Sequence, residues 1–209
     1  TYITSGEMQK TIHDFYGFPQ ELFEVEYPAK GNPELAKETA ELLAPTSVIE
    51  TESWGLDHGA WSVIRHLYPE AQIPVIQISI DYTQPAQYHF DLAKKLQKLR
   101  EKGILIIGSG NVVHNLRMID WKNINTVGAG WDWAIEARAK TNEWILDGNF
   151  QNLIHFEKQG TALQNAIPTP DHYLPLIYTL GLKEKSEEIS LFNDELIGGS
   201  LSMTSVKVG

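Results

Sequence analysis

The apolar run Gly103-Ile104-Leu105-Ile106-Ile107-Gly108 constrains this chain more than any other stretch. It offers no polar face between its two glycines, so it reads as a strand buried on both sides. A helical pattern over Pro85–Lys102 precedes it, with Phe90, Ala93, Leu96 and Leu99 at compatible spacing and Gly103 as the stop. Upstream, Pro74 to Asp81 sets Ile76, Ile78 and Ile80 against Gln77 and Ser79, which is strand periodicity. Strand, helix and strand in that order form a βαβ unit with a right-handed crossover, the building block of a parallel sheet.

Other segments extend the alternation. Asn32 followed by Pro33 is a helix start, and Leu35, Ala36, Thr39, Leu42 and Leu43 trace one face before Pro45 ends it. Val48-Ile49 opens a short strand. Ala60, Val63, Ile64 and Leu67 repeat at helical spacing, which puts His58 and Gly59 at a helix N-terminus. Further helices are predicted from about Trp131 to Leu146 and from Thr169-Pro170 to near Gly181, then strands around Ile189–Phe192 and Leu201–Val208. The expected fold is α/β: a single domain over residues 1–209, with a mostly parallel sheet flanked by helices and C-terminal edge strands.

Composition narrows the function. A net charge of −10 argues against a nucleic-acid surface. No apolar run approaches the roughly 20 residues that span a membrane. With no cysteine there is no disulfide, no thiolate metal site and no thiol nucleophile, so histidine, carboxylate or water must hold any metal. A cytoplasmic setting is the expectation, with a small-molecule substrate and with assembly into a homo-oligomer left open. Gly108-Ser109-Gly110 lacks the third glycine of a dinucleotide loop, and no P-loop, Gly-x-Ser-x-Gly elbow or His-Glu-x-x-His occurs.

The histidines carry the chemistry. His114 follows the glycine-flanked turn after the 104–108 run, where open α/β sheets place ligands and catalytic groups. His58 sits at a helix N-terminus, where a neutral imidazole suits proton transfer or a hydrogen bond to substrate. His172 lies in Thr169-Pro170-Asp171-His172-Tyr173, in the first turn of the next helix. His13 stands beside Asp14 and several aromatic residues and is a candidate to line a substrate cleft. Trp54, Trp61 and Tyr173 are candidate pocket walls. Each has a plain alternative as a turn, capping or packing residue. His66, His89 and His155 read as structural.

Four ordered strings carry a family resemblance: Thr11-Ile12-His13-Asp14-Phe15-x-Gly17-Phe18-Pro19, Trp54-Gly55-Leu56-Asp57-His58-Gly59, Gly110-Asn111-Val112-Val113-His114-Asn115-Leu116 and Thr169-Pro170-Asp171-His172-Tyr173-Leu174-Pro175-Leu176. Together with the closing Gly199–Val206 segment they resemble class III extradiol ring-cleavage dioxygenases, in the bacterial branch similar to 4,5-DOPA dioxygenase. The resemblance implies non-haem Fe(II), or Zn(II), and opening of a catechol ring beside its two hydroxyls by O₂. It implies that His172 is a metal ligand, and that His114 is either a ligand or the acid–base histidine. It also implies that His58 is a catalytic group of the substrate pocket, beside which the residue reading above puts His13 and Tyr173. The family's His-Gly-Ser-Pro and Ser-Ala-His-Trp strings, which carry two more metal histidines, do not occur, so Thr1 is expected to be an internal residue of a longer parent. A metal-dependent hydrolase and a non-catalytic binding protein on the same scaffold are the rival expectations.

Overall fold

Side-chain caps fix the starts of two α-helices, at Asn32 and Asp57. The computed structural model describes residues 1–209, which fold as two units, Thr1–Asp81 and Tyr82–Gly209, in an α/β arrangement. The first unit contains β1 (Tyr2–Thr4), a short α1 (Gln20–Phe23), α2 (Pro33–Leu42), β2 (Ile49–Thr51) and α3 (His58–Leu67). β1 and β2 pair in parallel with Ile3 opposite Glu50. Residues 77–79 run along β1: the Thr4 N–H donates to the Gln77 carbonyl at 3.0 Å and the Ser79 N–H to that of Tyr2 at 2.9 Å. The predicted strand over Pro74–Asp81 is thus held by isolated contacts and not by a full ladder.

Asn32 caps α2 as expected, its side chain accepting the Leu35 N–H at 2.9 Å with Pro33 in the first turn. Asp57 caps α3 in the same way, accepting the Ala60 N–H at 2.8 Å. α3 buries Trp61 and Ile64 in a core with Tyr27, Ala29 and Leu56, and Phe15, Leu22 and Val25 pack against it.

The second unit contains α4 (Ala86–Arg100), α5 (Asp132–Leu146), α6 (Phe150–Ile154), α7 (Thr161–Ala166), α8 (Leu174–Gly181) and β3 (Ile189–Phe192). β4 (Leu196–Ile197), β5 (Leu201–Ser202) and β6 (Ser205–Val208) complete it. α4 packs along α8, and Gly181 permits the approach, since a Cβ there would lie 2.6 Å from the Phe90 carbonyl oxygen. β3 pairs antiparallel with β6, and β4 with β5, which matches the expected C-terminal strands. Among the strands, parallel pairing is confined to β1 and β2, with isolated parallel bridges at Thr11–Leu56 and Gly130–Gly199.

The 104–108 run departs from expectation. It lies between α4 and the glycine turn but joins no sheet, and Leu105 and Ile107 are 65% and 42% exposed. Only one side of the run packs, as Ile104 and Ile106 are half-buried. An apolar sequence states a demand for burial but does not supply the neighbouring strand that would meet it.

Arg100, at the end of α4, pins the loop before β3. Its guanidinium donates to Glu187 Oε2 at 3.0 Å, to Oε1 by a shorter bond, and to the Leu182 carbonyl at 2.8 Å. These hydrogen bonds hold the Glu187 carboxyl down at about 2, from an ordinary value of 4.5. A depressed carboxylate stabilises the fold fully above its unfolded value, and that contribution fades as pH falls from about 4.5 towards 2. E187Q is therefore expected to cost about 1 kcal/mol at pH 7, with the deficit shrinking below pH 4.5. Equal urea midpoints for the two proteins at pH 7 would contradict this.

Candidate active site

Two groups of candidate residues assemble, one in each unit. In the second unit, the segment Gly110–Asn115 is stitched on both sides. The Asn111 N–H donates to the His172 carbonyl at 2.8 Å and the His114 N–H to that of Ala166 at 2.9 Å. On the other side, the Asn111 side-chain amide donates to the Ser202 carbonyl at 2.8 Å. The Ser202 N–H donates to the Val113 carbonyl at 3.0 Å, and the Val113 N–H to Ser202 Oγ at 3.1 Å. The Asn115 N–H donates to the Ser200 carbonyl, and the Ser200 hydroxyl donates to that of Asn115 at 2.8 Å. Ser200 and Ser202 are fully buried, so these bonds fix the segment without competition from water.

The result is a histidine pair. The rings of His114 and His172 stack with centroids 3.6 Å apart and planes 9° from parallel. Gly110 permits it, because a Cβ at that position would sit 2.1 Å from the His172 carbonyl oxygen. G110A must therefore displace the backbone of one partner, at an expected cost of about 2–3 kcal/mol. Unchanged thermal stability in G110A would show that the contact relaxes freely.

His172 lies in the Pro170–Tyr173 turn that leads into α8, one turn earlier than the helix itself, which begins at Leu174. Its Nδ1 is buried and makes no hydrogen bond, although Asp171 Oδ2 lies 2.6 Å away, close enough for an ion pair. Partial burial pushes the Asp171 carboxyl upward, but a hydrogen bond from Thr169 and the neighbouring His172 outweigh it and hold it below the usual range. Tyr173 does not line an open pocket. It is 1% exposed, its ring packs on Phe156, and its hydroxyl donates to the Leu153 carbonyl at 2.9 Å. Its place is in the core, and the substrate-contact expectation is corrected accordingly.

In the first unit, His58 opens α3 and meets Asp14. The Asp14 Oδ1 accepts the His58 backbone N–H at 3.0 Å and lies 2.8 Å from the ring Nδ1. Phe15 places its edge against the His58 ring at 5.6 Å, and its own ring stands 4.8 Å from Phe23 and 6.1 Å from Trp61. His13 belongs to the same aromatic nest, 5.8 Å from Trp61, with its Nε2 2.9 Å from the Val25 carbonyl. Its polar edge faces the protein, so it offers a ring face and not a free nitrogen at Nε2.

The donors suit a metal in kind. Imidazole nitrogen binds both Fe(II) and Zn(II), and two imidazoles lie side by side here, with the His172 Nδ1 turned to Asp171. They do not complete a site, since no group of three or more His, Asp or Glu side chains could enclose an ion. This chain's residues therefore fit as two members of a donor set.

Comparison with known proteins defines the class. Residues 1–201 match the family described as the catalytic LigB subunit of aromatic ring-opening dioxygenase. The chain belongs to this LigB family and is an extradiol ring-cleavage dioxygenase, a class of metal-dependent oxidoreductases. It is 43% identical over 212 residues to the 4,5-DOPA dioxygenase extradiol of Escherichia coli K12, a match that covers 100% of this chain and 77% of that protein. A protein of the same description from Beta vulgaris is 33% identical over 204 residues, covering 96% and 75%. The crystal structure of an uncharacterised Escherichia coli K12 protein superposes with a TM-score of 0.81 at 37% identity, covering 100% of this chain and 80% of that one. No helix is long and apolar enough to cross a membrane.

Asp14 and Phe15 were not singled out by sequence reasoning. The available signal was Asp14 beside His13 within an aromatic string, but nothing in it points to His58, 44 positions away.

Proposed function

We propose that residues 1–209 form the catalytic domain of an extradiol dioxygenase that opens the ring of a catechol, DOPA or a close analogue, beside its two hydroxyls with O₂. The stacked pair His114–His172 carries this reading, because it puts two imidazole donors together within a LigB-family chain. The description of the Escherichia coli relative supports the substrate class. Fe(II) is the metal we favour, with Zn(II) as the alternative for the same donors.

His172 would hold the metal, with His114 as a second ligand or as an acid–base group, and the metal when bound would bring catechol and O₂ together at one centre. His58 handles the proton. Its Nε2 has no protein partner, and the side chain is 46% exposed, so it is free to take a catechol hydroxyl proton and return one to the product. His13 and Phe15, both half-buried, offer aromatic faces on which a catechol ring can pack, while Trp61, a candidate pocket wall from the sequence, is 2% exposed and backs them from the core.

The test is O₂ uptake by the protein loaded anaerobically with Fe(II) and given DOPA or catechol. Uptake with a new yellow ring-opened product is the expected result. Bound iron and an intact fold without uptake would overturn the reading, and hydrolysis without O₂ consumption would replace it with a metal-dependent hydrolase.

A further inference from the structure

We propose that Asp14 is the positioning residue of His58: its carboxylate fixes the ring and keeps the proton on Nδ1, so that Nε2 is the basic nitrogen. The inference rests on the proton-handling role given to His58 above.

The geometry is specific. One oxygen, Oδ1, faces two donors of the same residue, the backbone N–H at 3.0 Å and the ring Nδ1 at 2.8 Å. Because both come from His58, the contact fixes the side chain relative to its own backbone. A carboxylate has only acceptors, so the ring nitrogen facing it must carry the hydrogen. Asp14 is held in that ionised form: partial burial pushes its carboxyl upward, but the hydrogen bonds from the His58 backbone and ring outweigh burial and hold it below the usual range. A neutral histidine side chain in water favours the opposite tautomer, with the proton on Nε2. Asp14 therefore selects the tautomer that a proton-accepting Nε2 requires.

A second contact restrains the ring from another direction. Phe15 meets it edge to face at 5.6 Å and 80°, and Phe15 is itself lodged among Phe18, Phe23 and Trp61. Asp14 and Phe15 are consecutive, so one short strand of backbone delivers both restraints. The side chain of Asp14 is about one-third exposed and belongs to no helix or strand, so its replacement leaves the core intact.

The test joins a spectroscopic readout to kinetics. Two-bond proton–nitrogen spectra of the ¹⁵N-labelled protein without added metal, assigned with H58A, report the tautomer of neutral His58. The wild type is expected to show the Nδ1–H form and D14A the Nε2–H form, while D14N, whose amide oxygen still accepts the bond, retains much of the first. In the Fe(II)-loaded protein with DOPA, D14A is expected to lower kcat about 10–100-fold and leave KM within about threefold. It should cause no further loss in the H58A background. A wild-type Nε2–H tautomer, a D14A kcat within about twofold of wild type, or an additional loss in the double variant would overturn the proposal. If the wild type consumes no O₂ with DOPA, the catechol reading fails, and the tautomer spectra of wild type and D14A alone decide the Asp14 assignment.

Discussion

H172A and H114A are each expected to reduce ring-opening turnover by about 10³-fold or more, with loss of bound metal in H172A. The two imidazoles stack at 3.6 Å, and no group of three or more donor side chains could hold an ion without them. Removing one partner leaves the other as a single, exchangeable ligand. Metal content measured beside turnover separates the two roles open to His114. If H114A loses metal with activity, it is a ligand; if it keeps metal and loses activity, it is an acid–base group. Folding is the control, since the segment around His114 is held by backbone bonds that do not use its ring. Either variant retaining full activity, with wild-type metal content, would remove that residue from the site.

H58A is expected to lower kcat by about 10²–10⁴-fold, the usual range for losing a positioned proton carrier, with metal content nearly unchanged. The side chain is half exposed and α3 is capped by Asp57, so the truncation costs little stability. Added imidazole should restore part of the rate if the ring acts at its exposed nitrogen. A kcat within about threefold of wild type would exclude His58 from proton transfer.

These expectations draw on features of uneven legibility. α2 and α3 were readable because Asn32, Pro33 and Asp57 act within one turn of themselves, and α4 and α5 because their buried residues recur with the helical period. The 104–108 run misled because pairing depends on a neighbour that no local pattern encodes. The histidines at 58, 114 and 172 stood out by position, yet their partners did not. His114 meets His172 only because α7, the Pro170 turn and β5 converge on one segment, and Asp14 meets His58 across most of the first unit. Tyr173 was misplaced for the opposite reason. It stands next to His172 in sequence, but the chain turns there into a buried helix that begins at Leu174, not at Thr169-Pro170, and carries Tyr173 into the core.

The bonds that seat His114 also impose an order in time. Ser200 and Ser202, which grip the segment 111–115, lie within ten residues of the last residue described. While this chain is being synthesised, α4 and α5 leave the ribosome long before those serines do. A nascent chain halted at α8 would display both histidines with only one side of the seat in place. The seat that brings His114 onto His172 is therefore complete only once Ser202 has emerged, however early the helices around it have formed.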